Sequence, residues 1–196
     1  MARECYSRKW VIKILLLCVL AAGANYVVST LFLKVPLFLD TLFSAAICFT
    51  VGLWPALLTA LLTQVATCIR LSSIPPFLFV LCSIAEMLLI YWLNPARSKT
   101  STSLAGTFAG LLLLYIAACI VISVLGGVID FTYHGILAHS KLYYSPEDTF
   151  KISLSLSETP ILAMDIFSRI PVNIVDRFIV IFGGFFISLG LKRLKV

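Results

Sequence analysis

Arg169-Ile-Pro-Val-Asn-Ile-Val-Asp-Arg-Phe-Ile-Val-Ile-Phe-Gly-Gly-Phe-Phe-Ile-Ser-Leu-Gly-Leu-Lys192 is the stretch that decides the fold. It is apolar and long enough to cross a bilayer as one helix, yet it carries Asn173, Asp176 and Arg177 near its start. A carboxylate or guanidinium in hydrocarbon is costly unless it pairs or lines a wet cavity. These groups are read as lining a solute-binding pocket open to the outside of the cell, with the other spans arranged to meet them.

The rest of the chain agrees with a membrane setting. Of 196 residues, 61% are hydrophobic and 12% charged, and the mean hydropathy is +1.06. Soluble domains are nearer half apolar. Repeated apolar runs of roughly 17–25 residues predict an all-α, polytopic membrane protein forming a single domain over 1–196. The net charge of +6 does not point to nucleic acid, because the basic residues cluster beside span ends. Cys18, Cys48, Cys68, Cys82 and Cys119 fall inside apolar runs, only Cys5 lies in a polar end, and no C-x-x-C occurs. They read as small core residues, not as a zinc or disulfide framework.

Taken in order, the first span runs from about Trp10 to Phe32 and carries Asn25. Arg8, Lys9, Lys13 and Ala22-Gly23-Ala24 also fit a secretory signal, but the apolar run continues past the cleavage position, which favours an uncleaved span. The second run covers about Pro36 to Leu53 with Asp40 just inside. Gly52-Leu-Trp-Pro55 separates it from Ala56–Leu71, which carries Gln64. Ser72-Ser-Ile-Pro-Pro76 is a break. Phe77–Leu93 holds Glu86, Leu104–Ile129 forms the fifth span, and the opening stretch is the sixth. Six spans with the N-terminus inside place Arg3, Arg8, Lys9, Lys13, Arg97, Lys99, Lys192, Arg193 and Lys195 on the cytoplasmic side, as the positive-inside rule favours; five would split the last two groups. Between spans five and six, Asp130–Ser168 predicts a long extracellular segment. Ser145-Pro-Glu-Asp148 starts an interfacial helix there that bends or restarts near Pro160 and turns Phe150, Leu154, Ile161 and Leu162 to apolar surface. The alternation Ile152/Leu154/Leu156 equally suits a short strand.

With this topology Asn25, Asp40, Gln64, Asn173, Asp176 and Arg177 fall in one outer slab, the distribution a shared substrate site would give. Arg169, Asn173 and Asp176 share a helix face, and Arg177 reaches toward Asp40. The competing account makes Asp176 and Arg177 glue between helices. Glu86 sits at mid-membrane with no cation expected at its depth. Ala105-x-x-x-Ala109, Gly106-x-x-x-Gly110, Gly183-Gly184, Gly190 and Ala21/Ala22/Ala24 mark faces for close helix packing. No H-E-x-x-H, phosphate loop or G-x-S-x-G is present, so no enzyme chemistry, cofactor or ATP hydrolysis is expected of this chain. Asp130, His134 and His139 are a weak metal candidate.

Val35-Pro-Leu-Phe-Leu-Asp40 leading into span two, the Gly52-Leu-Trp-Pro55 link, and Ile170-Pro-Val-Asn173-Ile-Val-Asp176-Arg177 followed by glycines together resemble the substrate-binding S components of energy-coupling factor (ECF) transporters. The resemblance covers essentially the full length. It implies a bacterial or archaeal cytoplasmic-membrane protein with both termini in the cytoplasm. Such a protein captures a vitamin-like small molecule from outside, joins a transmembrane coupling subunit and two ATPases, and topples in the bilayer to deliver it. Asn173, Asp176 and Arg177 match the binding positions of the family's last helix. Ala21 and Ala22 fall where the family docks its coupling subunit, although an Ala-x-x-x-Ala pair is replaced by Ala21…Asn25 and Ala22…Tyr26. No histidine precedes His134, which disfavours a nickel or cobalt cargo. Related regions also occur as sensors fused to kinases, which the end of the sequence at Val196 disfavours. The other readings are an assembly protein held by ionic glue, a stand-alone small-solute carrier, and a small integral enzyme using Glu86 or Asp130/His134.

Overall fold

A computed structural model describes residues 8–31, 37–72, 75–95, 103–133, 151 and 160–193. Among them the chain forms six helices and no strand. These are α1 (Arg8–Leu31), α2 (Leu42–Thr50), α3 (Leu53–Leu71), α4 (Val80–Leu93, entered through a 3₁₀ turn Pro75–Phe79), α5 (Leu104–Asp130) and α6 (Ile161–Arg193). α1, α3, α5 and α6 are long and apolar enough to cross a membrane. Exposure is inverted relative to a soluble protein. Leu20 and Ile69 are 71% and 73% exposed, while Asn25, Glu86 and Asp176 have no exposed surface. Such a surface suits lipid, and the polar groups are left to pair with one another.

Helices consecutive in the sequence alternate in direction, so that odd-numbered helices run one way and even-numbered ones the other. Cys18 lies against Pro55, Asn25 against Thr63 and Thr30 against Arg70, so α1 and α3 run parallel. Thr41 and Ala45 meet Arg177 and Gly184, and Phe79 and Glu86 meet Arg169 and Arg177, so α2 and α4 run with α6. Cys119 and Asp130 meet Asn173 and Arg169, which sets α5 against α6.

The second run differs from expectation. α2 has nine residues, about 14 Å at helical rise, too short to cross about 30 Å of hydrocarbon. Residues 37–41 enter it in a non-helical turn. Gly52, at φ +133°, makes the sharp exit into α3 in a conformation that strains any residue with a side chain.

The larger correction concerns α6. It begins at Ile161 after Pro160, eight residues before the stretch that composition marks as a span. Asp165 lies in the segment whose polarity argued against a span, and Arg169 at its edge. Both are buried and ion-paired, and so the helix simply continues. Eight residues are about 12 Å, and Asp176 and Arg177 move from the start of the helix to its middle. Pro171 is accommodated on an exposed face, and the helix widens into a π turn over Ile179–Gly183 directly after Arg177. Ile161 and Leu162 are exposed as α6 begins. The Ser145–Asp148 helix start, Phe150 and the Ile152/Leu154/Leu156 alternation lie outside the described residues.

Small residues set the closest approaches, though not all those expected. Gly184 faces Ala45 and the backbone of Leu42 and Ala46, which lets α6 lie tightly on α2. On α5 the close face is Gly126-Gly127. A Cβ at Gly127 would stand 2.8 Å from the Ile166 backbone, too near for any side chain. Ala105 and Ala109 are exposed, Gly110 lies close against Pro95 rather than another long helix, and nothing among the described residues approaches a Cβ at Gly190 within 4 Å.

Candidate functional site

Polar side chains gather at three places inside this bundle. The first is a node on α1. Buried Asn25 donates to Ser44 on α2 (3.0 Å) and Thr63 on α3 (3.3 Å), and its carbonyl accepts the Phe43 backbone N–H (2.8 Å). One side chain thereby fixes three helices.

The second lies where α5 ends and α6 begins. Asp130 accepts from Arg169 Nε and Nη2 at 3.0 and 2.6 Å. Lys151 bridges Asp130 (3.4 Å) and Asp165 (2.9 Å). The Arg169 guanidinium also sits over the Phe79 ring, 5.0 Å from its centroid. Among the described residues two cations here face two carboxylates.

The third surrounds Arg177 at the middle of α6. Its guanidinium donates to Glu86 Oε2 on α4, to Asp176 Oδ2 and, at 3.3 Å, to Thr41 Oγ1. The other oxygen of Asp176 accepts the backbone N–H groups of Phe38 and Leu39 at 3.1 and 3.0 Å. Leu39 is held at φ +42°, a strained left-handed conformation for a leucine. Two successive N–H groups closing on one carboxylate make an anion nest, and this nest fastens the turn before α2 to α6. Asp40 in that turn is partly exposed and within electrostatic reach of Arg177, Asp176 and Glu86. Two carboxylates, Glu86 and Asp176, thus contact one guanidinium, and Asp40 adds a third carboxylate within electrostatic reach. Among the described residues, buried Glu86 Oε1 and Arg177 Nε make no hydrogen bond.

Of the six residues expected to share a substrate site, Asp40, Asp176 and Arg177 meet in the third cluster. Asn25 is tied to the turn's far side through Phe43 and Ser44. Asn173 faces α5, donating to Ser123 at 2.9 Å. Gln64 is buried on α3 next to Thr63. Arg177 bonds to Glu86 and Thr41 where Asp40 was expected. Glu86, expected to lack a cation, has one because the true start of α6 brings Arg177 to its depth. Thr41, Ser44, Thr63 and Ser123 gave no signal in the sequence, since hydroxyls are ordinary in membrane helices. Asp130 is committed to Arg169 and Lys151, His134 and His139 lie outside the described residues, and no three-residue metal group occurs among the residues described.

Ala21 and Ala22 are each 7% exposed, packed against the chain itself. Ala21 also lines an apolar crevice of about 220 Å³ between α1, α2 and α6, with Leu17, Phe43, Ala46, Ile187 and Leu191. The crevice is remote in chemistry from the charged clusters. The chain matches no family model, no curated protein and no solved structure.

Proposed function

We propose that this chain is a membrane-embedded substrate-binding subunit of the energy-coupling factor type. In this reading it captures a vitamin-like small molecule from outside the cell. The observation that supports it most is the Arg177 cluster. Charged side chains from three segments converge at mid-helix, yet an oxygen of Glu86 and the Nε of Arg177 have no hydrogen-bond partner among the described residues. Buried polar groups are nearly always satisfied, and an exception calls for a ligand or ordered water. Partly exposed Asp40 gives the cluster an edge that a solute reaches. The turn fastened by Asp176 then acts as the movable wall, because its hold rests on two hydrogen bonds and a strained Leu39. Asn25, Gln64 and Asn173 shape the surrounding polar surface. A coupling subunit and ATPases supply the energy, docking on the exposed face of α1, since Ala21 and Ala22 are covered by the chain itself.

Mass spectrometry of small molecules released from natively purified protein tests the proposal. A single compound near one per chain is expected. Well-folded protein that yields none, from cells supplied with rich medium, overturns it.

One observation favours the second reading, in which the charges only hold the bundle together. Arg177 is tied to α2 and α4, and Asp176 to the α2 entry turn. A structural protein of this kind loses thermal stability when Arg177 is replaced and releases no ligand.

A further inference from the structure

The two ionic clusters differ in charge, and the difference bears on what the chain carries. Where α5 meets α6, Arg169 and Lys151 pair with Asp130 and Asp165, one cation for each carboxylate among the described residues. Around Arg177, the groups acting on Asp40 are Arg177, Asp176 and Glu86, one cation with three carboxylates in all. Two negative charges are left over in a setting where the desolvation of each ion costs several kcal/mol.

The spare hydrogen-bonding capacity points the same way. Asp176 has used both oxygens, on Arg177 and on the Phe38 and Leu39 N–H groups. Glu86 has used only one. Its Oε1 is fully buried, accepts nothing among the described residues and belongs to a side chain with no exposed surface. An acceptor in that position calls for a donor, and the surplus of carboxylates calls for that donor to be positive. A bare metal ion fits poorly, because no metal-holding group of three is formed among the described residues and a guanidinium stands at the centre. Arg177 Nε, also buried and unpartnered, asks in addition for a neighbouring acceptor. We infer that the solute is a small organic cation whose positively charged nitrogen carries N–H and is received by Glu86 and Asp40, with a hydrogen-bond acceptor beside it for Arg177. This rests on the solute-binding reading above and specifies its substrate class.

The test uses the full chain in lipid nanodiscs with three probes of one shape. These are benzamidinium (cation), benzamide (neutral) and benzoate (anion), each at millimolar concentration, with thermal unfolding as the readout. Benzamidinium is expected to raise the melting temperature by roughly 5 °C, and the other two by no more than about 1 °C. In Glu86→Gln the benzamidinium shift falls by at least half. Asp40→Asn, at a partly exposed turn position, is the second variant should Glu86→Gln fail to fold. Equal or greater stabilisation by benzamide or benzoate overturns the inference. So does a stability that responds to pH alone and to no probe, since the surplus charge is then met by a proton. Compounds released from native protein separate the two levels. A neutral or anionic one overturns the cation and leaves the solute-binding reading standing, whereas no compound and no probe effect removes both.

Discussion

The cluster at the α5–α6 junction and the cluster at the middle of α6 are built from the same residue types on the same helix, yet they solve different problems. The junction cluster pairs two cations with two carboxylates, keeps a little solvent exposure, and anchors Lys151 to both helices. The mid-helix cluster sets one guanidinium against three carboxylates, is more deeply buried on Arg177, Glu86 and Asp176, and leaves polar atoms unsatisfied. A balanced ionic group explains itself as an attachment between helices. An unbalanced one needs something more, and that is where the proposed binding site was placed.

Removing the shared cation of the mid-helix cluster is the strongest way to break the contrast. Arg177→Gln leaves Glu86 and Asp176 buried without their counter-ion, and the expected loss is about 3–5 kcal/mol in unfolding measured in detergent. A loss below about 1 kcal/mol would show that the carboxylates are met by some other partner.

Paired apolar replacements sharpen it. Asp130→Leu alone removes the carboxylate that takes two hydrogen bonds from Arg169 and is expected to cost about 3 kcal/mol. Adding Arg169→Met removes the facing charge while Lys151 and Asp165 stay paired, which returns stability to within about 1 kcal/mol of the parent. The matching change at mid-helix, Glu86→Leu with Arg177→Met, is expected to give no such recovery, because Asp176 and Asp40 remain. Equal recovery in both double variants would erase the distinction between the clusters.

The junction cluster also depends on how closely α5 and α6 lie. Gly127→Ala drives a Cβ into the Ile166 backbone, and a loss of about 2 kcal/mol is expected. Gly190→Ala, where nothing lies within 4 Å, is expected to change stability by less than about 0.5 kcal/mol. A matched pair of melting curves decides it. The smallest effect lies between the clusters. Ser123→Ala removes the hydrogen bond to Asn173 and is expected to cost about 1 kcal/mol.

Much of this arrangement was legible from residue type alone. Asp176 and Arg177 announced themselves as interior groups, Asn25 as a polar contact on α1, and Asp40 as a neighbour of the last helix. What went astray was position along α6. The segment up to Ser168, Asp165 included, read as a polar extracellular connection, because a single sequence does not show that Lys151 pairs with Asp165. That one misplacement, of about 12 Å, made Glu86 look isolated. The glycine faces went astray for a similar reason. Several small-residue pairs are equivalent as sequence, and only docking selects Gly126-Gly127 and Gly184 over Gly190.

By itself the sequence determined that the chain is helical and apolar on its outside, and that a few charged and amide side chains must lie inside; it counted six spans, of which four helices among the described residues have the length to cross a membrane. Local composition suffices for this, because hydrophobic length and the cost of an exposed charge are properties of each segment alone. Only the tertiary structure decided which charges meet. Arg177 finds Glu86 across 91 residues and Thr41 across 136, and a pairing between separate helices depends on their relative depth and rotation, which packing sets.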